Sequence, residues 1–147
     1  MSKSKTDLLA SVFRLANLSV IPFWILMVLA PRAKFTKRIM RSNLIFNLLG
    51  VVYTVLLGRG LSKNPSIAKD IMNPYLSNIT KLLGDRNGAA VGWIHFLSSD
   101  LFVGRWIYLD SLERGKTARV SLLATCLAGP LGLLSYLTLG QRGKKTA

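Results

Sequence analysis

Four apolar stretches alternate with polar, basic ones along the chain: about Leu8 to Ala30, Ser42 to Gly58, Ala89 to Leu112 and Val120 to Leu139. A helix rises about 1.5 Å per residue, and a bilayer's hydrocarbon layer is about 30 Å thick. Only the second stretch is short by that measure. The pattern predicts an all-α, polytopic membrane bundle with four transmembrane helices. Pro22 interrupts the first span and Pro31 ends it, while Gly129-Pro130 and Gly132 predict a kink and close backbone approach in the fourth. Residues Arg32 to Arg41 read as a basic loop. From Arg59 to Asn87 the chain is polar, with turn signals at Asn64-Pro65 and Asn73-Pro74. Within that connector Tyr75, Leu76, Ile79, Leu82 and Leu83 recur at helical spacing opposite Lys81, which predicts a short interfacial helix between the second and third spans.

The third stretch changes the picture. WIHFLSSDLFVGRWIYLDSLE, Trp93 to Glu113, is apolar, yet it carries the chain's one His, two Asp, an Arg and a Glu. A charge at the bilayer centre costs about 2.5–3.5 kcal/mol on insertion scales, so such groups require protein or water around them. At about 100° per residue His95, Ser99, Phe102, Trp106 and Glu113 share one line, Asp110 lies about 60° aside, Asp100 about 140° and Arg105 about 80° the other way. No single stripe holds them. This helix is expected at the centre of the bundle, the most enclosed of the four.

Composition supports the membrane reading. The chain has 147 residues, half of them hydrophobic, and a net charge of +14; its mean hydropathy is nonetheless +0.37. One integral domain, 1–147, fits that length. The cations sit in loops and tails, as in membrane proteins generally, so the charge points to no nucleic-acid partner. Cys126 stands alone and reads as a small buried apolar residue. Lys3 and Lys5 precede a run too long for a signal-peptide core, which gives the expectation of a prokaryotic, organelle-encoded or mature chain. Four crossings would divide the cations almost evenly, counting Arg142, Lys144 and Lys145 with the amino-terminal side, and the positive-inside rule then assigns no orientation.

Candidate chemistry follows from depth. Asp100 falls near mid-membrane and is the leading candidate for a proton donor; His95, whose unperturbed pKa lies near 6.5, is the leading base. They lie about 7.5 Å apart along the axis, too far for a direct hydrogen bond. Arg105 would steady negative charge or orient Asp100. It is expected to bond the second or fourth span, with Asn47 first by depth; Asn43 and Asn47, one turn apart, read as interhelical hydrogen-bonding groups. Phe23, Trp24, Phe102 and Trp106 would grip a long apolar ligand, with Asn47 and Asp110 as polar anchors. One His among unevenly spaced acids makes no metal-ligand pattern, and no metal or other cofactor is expected.

IPFWILMVLAPRAKFTKRIM (Ile21 to Met40), Trp93 to Glu113 and GPLGLLSYL (Gly129 to Leu137) resemble the abscisic-acid-deficient-four-like membrane proteins of plastids and cyanobacteria. The central block is the specific one, with His95, Asp100, Leu101, Phe102, Arg105, Asp110, Leu112 and Glu113 at matching positions. The plant member is associated with making neoxanthin from violaxanthin. The resemblance implies a role in carotenoid (xanthophyll) biosynthesis in a plastid or cyanobacterial membrane, an intramolecular isomerisation of a carotenoid needing no redox cofactor. The rival reading is a non-catalytic carotenoid-binding or assembly subunit of a pigment complex, with a membrane-protein partner or a homo-oligomer. A small four-helix transporter is a third reading, disfavoured because such proteins place an acid in the first span, where this chain has Arg14.

Overall fold

A computed structural model describes residues 2–140, with side chains from Leu8 to Leu139; Lys3, Lys5, Arg142, Lys144 and Lys145, used above for orientation, lie outside the described side chains. The chain is all-helical: α1 (Ser2–Leu29), α2 (Lys34–Arg41), α3 (Leu44–Lys63), α4 (Ser66–Met72), α5 (Leu76–Gly84), α6 (Arg86–Glu113), α7 (Arg119–Ser135) and a π-helical turn at Tyr136–Gly140. α1 runs through Pro22 without a break. Among the described residues, three stretches are long and apolar enough to cross a membrane by length and composition: Leu8–Leu29, Lys34–Lys63 and Arg119–Leu139. The outside of the bundle is correspondingly apolar, with Leu15, Leu29, Leu44, Val51 and Leu127 all more than 60 % exposed. A surface of that kind marks a lipid-facing or partner-facing exterior.

The basic segment expected as a loop is instead α2. Thr36 and Met40 lie one turn apart and are both buried, while Lys37, Arg38 and Arg41 stay outside. That i, i+4 apolar edge, hidden among the cations, makes the segment an amphipathic helix. α3 extends to Lys63, five residues beyond the expected end of the second span. Asn64 then turns the chain: its Oδ1 accepts from the Ser66 backbone N–H and hydroxyl at 3.2 and 2.7 Å. Asn73 separates α4 from α5, so both Asn-Pro pairs mark breaks as expected.

α6 begins on a capping carboxylate. Asp85 Oδ2 accepts from the backbone N–H groups of Asn87 and Gly88 at 2.9 and 3.0 Å, satisfying two of the donors that every helix start leaves open. Gly88 lets α5 fold tightly onto α6, since a Cβ there would strike the Leu82 carbonyl. α6 then packs against α1, α3, α5 and α7. It is the hub of the fold. Buried Tyr108 donates to the Pro31 carbonyl at 2.7 Å, pinning α6 to the turn that Pro31 makes after α1.

α7 departs furthest from the sequence reading. The stretch is apolar enough to cross, but it does not run straight. Ala128 leaves helical geometry at φ −154°, ψ 72°, and the two flanking segments lie side by side. A Cβ on Gly132 would overlap the backbone and hydroxyl of Thr125, and the Ser135 hydroxyl donates to that of Ser121 at 3.0 Å. In a straight helix those serines would stand about 21 Å apart. The segment is therefore a helical hairpin, descending over 119–127 and returning over 129–140. Ala128 takes the N-cap position of the returning arm, and Pro130 falls in its first turn, where a missing N–H is tolerated.

Candidate functional site

The residues of α6 divide by angle among three neighbours. Gly104, opposite the His95 line, receives the Trp24 ring of α1; a Cβ there would overlap the indole, so only glycine permits this seat. The flank carrying Asp100 and Asp110 meets α7, and the flank carrying Arg105 meets α3. The His95 line itself stays open. Along it Phe102 is 58 % and Trp106 39 % exposed, and His95 and Ser99 are exposed as well. α3 and α7 flank α6 without a packed interface between them, so this stripe is the floor of a groove. Its walls are aromatic. Phe46 of α3 meets Phe102 edge-on at 5.7 Å, Tyr53 stands 5.9 Å from His95, and Tyr136 meets Trp106 edge-on at 5.7 Å. Such edge contacts fix ring orientation beyond what burial alone does.

Asp100 lies at the apex of the α7 hairpin, half-buried, its carboxylate against Gly129, where a Cβ would overlap Oδ1. Two sequence features meet here: a glycine that grants close approach, and the amino end of the returning arm, which carries partial positive charge. The acid expected at mid-membrane is thus housed by a backbone element. A second helix ending at the same depth supplies what a straight span could not.

The other charges are paired toward the opposite end of α6. Arg105 Nη1 donates to Asn43 Oδ1 at 2.8 Å, Nη2 reaches the Arg41 carbonyl at 3.5 Å, and the guanidinium lies 5.2 Å from the centre of the Phe46 ring. The partner is from the expected second span but is Asn43, not Asn47; Asn47 is one turn further along α3 and exposed. Asn43 precedes the first residue of α3, and Arg41 closes α2, so the cation also meets the carbonyl end of a helix. Arg105 is about 140° round α6 from Asp100 and is held by other groups, so it does not orient Asp100. Asp110 accepts from Arg114 Nε at 2.6 Å and from the Tyr136 hydroxyl at 2.6 Å. It clamps the foot of the hairpin to α6. The Asp110–Arg114 spacing of four was visible in the sequence; Tyr136 was not, because only the reversal at Ala128 returns it to that end.

The four aromatic residues expected to line one groove separate into two sets. Phe102 and Trp106 floor the open stripe, whereas Trp24 is 8 % exposed behind α6 and Phe23 packs on the core beside it. The reason is Gly104: its missing side chain draws Trp24 to the far face of the helix. Near the α6 start Trp93 Nε1 donates to Asn17 Oδ1 at 2.9 Å, joining α6 to α1. A large cavity lies elsewhere again, between the start of α6, the end of α3 and α4–α5.

A family model described as ABA DEFICIENT 4-like matches residues 11–136 of the chain. The chain is similar to Protein ABA DEFICIENT 4, chloroplastic, of Arabidopsis thaliana, at 38 % identity over 136 residues. That match covers 89 % of this chain and 61 % of the relative, so the chain spans about three fifths of the length of the curated protein it matches. No solved structure matches it.

Proposed function

This chain belongs to the ABA DEFICIENT 4-like family, and on that premise we propose that it is a multi-pass plastid or cyanobacterial membrane protein acting on a carotenoid. α6, with Arg105 and Asp110 partnered, is the third full crossing after α1 and α3; α5 lies at the interface and the α7 hairpin enters without crossing. The reaction is conversion of violaxanthin to neoxanthin or a related isomerisation. The observation that carries this reading is the open aromatic stripe of α6 between α3 and α7, which carries His95, with Asp100 further round the helix at the α7 wall. A rigid polyene suits a long apolar floor with few polar groups.

Opening an epoxide to an allene breaks a ring C–O bond, places a proton on that oxygen and removes one from a polyene carbon. No electrons are exchanged. A positioned acid and base suffice, each typically worth about 10²–10⁴-fold in rate. Asp100 donates the proton at the hairpin apex, His95 accepts the other on the open stripe, and Phe102 and Trp106 hold the chain between them. Arg105 acts from the α3 wall through Asn43, and Asp110 through the hairpin foot; Trp24 and Phe23 position α6 from behind. Expression in a violaxanthin-producing bacterial host tests this directly. The wild-type chain should yield an allenic product, and Asp100→Asn should abolish it while pigment still copurifies. Undiminished conversion by Asp100→Asn removes the acid from the mechanism. A wild-type chain that binds pigment and converts none selects the carotenoid-binding reading instead.

A further inference from the structure

A second cavity takes no part in that site. It has a volume of about 1040 Å³ and is lined by the starts of α1 and α6, the second half of α3, and α4–α5. Its body is apolar, walled by Leu9, Val12, Val52, Leu56 and Val91. Its mouth is not. Arg59 and Lys63 stand one turn apart on α3 at the rim, with Lys81, Asp70 and Asp85 beside them.

The rim acids are already committed. Asp70 pairs with Lys81 at 3.4 Å, and Asp85 caps α6 through the Asn87 and Gly88 backbone. Arg59 and Lys63 form no ion pair among the described residues. From Val51 to Lys63 the cavity follows α3 for about 18 Å, from mid-bundle to its end. An apolar cleft with two cations that form no ion pair at one end has the polarity of an amphiphile. The volume is at the upper end of the range for small-molecule sites, about 300–1,000 Å³.

We propose that this cavity binds an anionic-headed membrane lipid, its phosphate or sulfonate held between Arg59 and Lys63 and an acyl chain laid along Val55, Val52 and Val12. Neutral pigments fit the apolar cleft but leave both cations unanswered. The bound lipid fills the gap between α3 and α6 behind α4–α5, acting as a packing element at the end of the bundle remote from Asp100.

The test uses the full chain in detergent, without pigment, so that its failure is separate from failure of the carotenoid reading. Binding of a fluorescent-tailed phosphatidylglycerol is read by energy transfer from the protein's tryptophans, in parallel with a sulfonate-headed glycolipid and phosphatidylcholine. The two anionic lipids should bind about tenfold or more tightly than phosphatidylcholine, since each interfacial cation is worth roughly a fivefold factor toward an anionic head. Arg59→Gln with Lys63→Gln should remove that preference; Lys34→Gln with Lys37→Gln, on α2 at the other end, should not. Val55→Trp, at a half-exposed position, should weaken binding of all three lipids by blocking the cleft while leaving the charges in place. Equal binding of phosphatidylcholine overturns the proposal, as does an equal loss in the α2 variant or indifference to Val55→Trp. Full competition by millimolar inorganic phosphate would instead make the rim a free-anion site and overturn it too.

Discussion

The reversal of α7 at Ala128 has a decisive chemical test. With Cys126 replaced by Ala, Ser121→Cys and Ser135→Cys place two thiols where hydroxyls now stand 3.0 Å apart. A disulfide requires Cα atoms about 4.4–6.8 Å apart, whereas a straight helix separates these positions by about 21 Å. Mild oxidation should therefore close an intramolecular bridge, seen as a loss of two mass units and as a faster, monomeric band on a non-reducing gel. A loop of about 15 residues closed in this way restricts the unfolded chain by about 3 kcal/mol on the loop-entropy account. For a chain of this size that corresponds to a rise in Tm of roughly 6–12 °C, less the small loss of the Ser121–Ser135 hydrogen bond. If only intermolecular dimers form, or none, α7 is a straight span and the placement of Asp100 at a hairpin apex fails with it.

Three further outcomes follow from the same contacts. Gly132→Ala forces a Cβ onto the Thr125 backbone and should cost about 1–3 kcal/mol of stability, measured by thermal unfolding in detergent, while Gly50→Ala, with open space around it, should be neutral or stabilising by up to about 1 kcal/mol. Arg105→Leu and Asn43→Ala should each destabilise by about 1.5–3 kcal/mol, the range for a hydrogen bond to a charge, and the double variant should lose little more than either; fully additive losses would show that the two do not interact. Tyr136→Phe and Asp110→Asn should likewise couple by about 0.5–3 kcal/mol in a double-mutant cycle, and zero coupling would remove the clamp.

Much of this was legible in the sequence because hydrophobic runs report their own length. The four helical stretches, the breaks at Asn64 and Asn73 and the central place of α6 all follow from local spacing. The polar partners of α6 were legible only to the level of depth. Asn43 and Asn47 differ by one turn, and choosing between them needs the rotation of α3, which its nearly uniform apolar surface does not encode. α2 was hidden because two buried residues, Thr36 and Met40, are few beside its cations. The hairpin had a signal that admits two meanings. Gly-Pro inside an apolar run reads as a kink when the run is taken as one helix, and as the first turn of a new helix when it is taken as two. The glycines decide between them: Gly132 needs a backbone at contact distance, and only the reversal provides one. The split of the aromatic set had the same origin, since Gly104 looks like a flexible residue until an indole occupies its place.

A hairpin that returns to its own side also changes how the proposed crossings would divide the charges. With three crossings, Leu8 and Leu139 leave the bundle at opposite ends, and the residue leading into the basic tail shares an end with α2 and the turn after α6. Arg32, Lys34, Lys37, Arg38, Arg41, Arg114, Lys116 and Arg119 gather there, against Arg59, Lys63, Lys69, Lys81 and Arg86 at the other. The even division of cations expected from four crossings becomes a bias, and positively charged loops stay on the side where the chain is made. On the proposed crossings of α1, α3 and α6, the hairpin would enter from the more basic side, with α4 and α5 on the other.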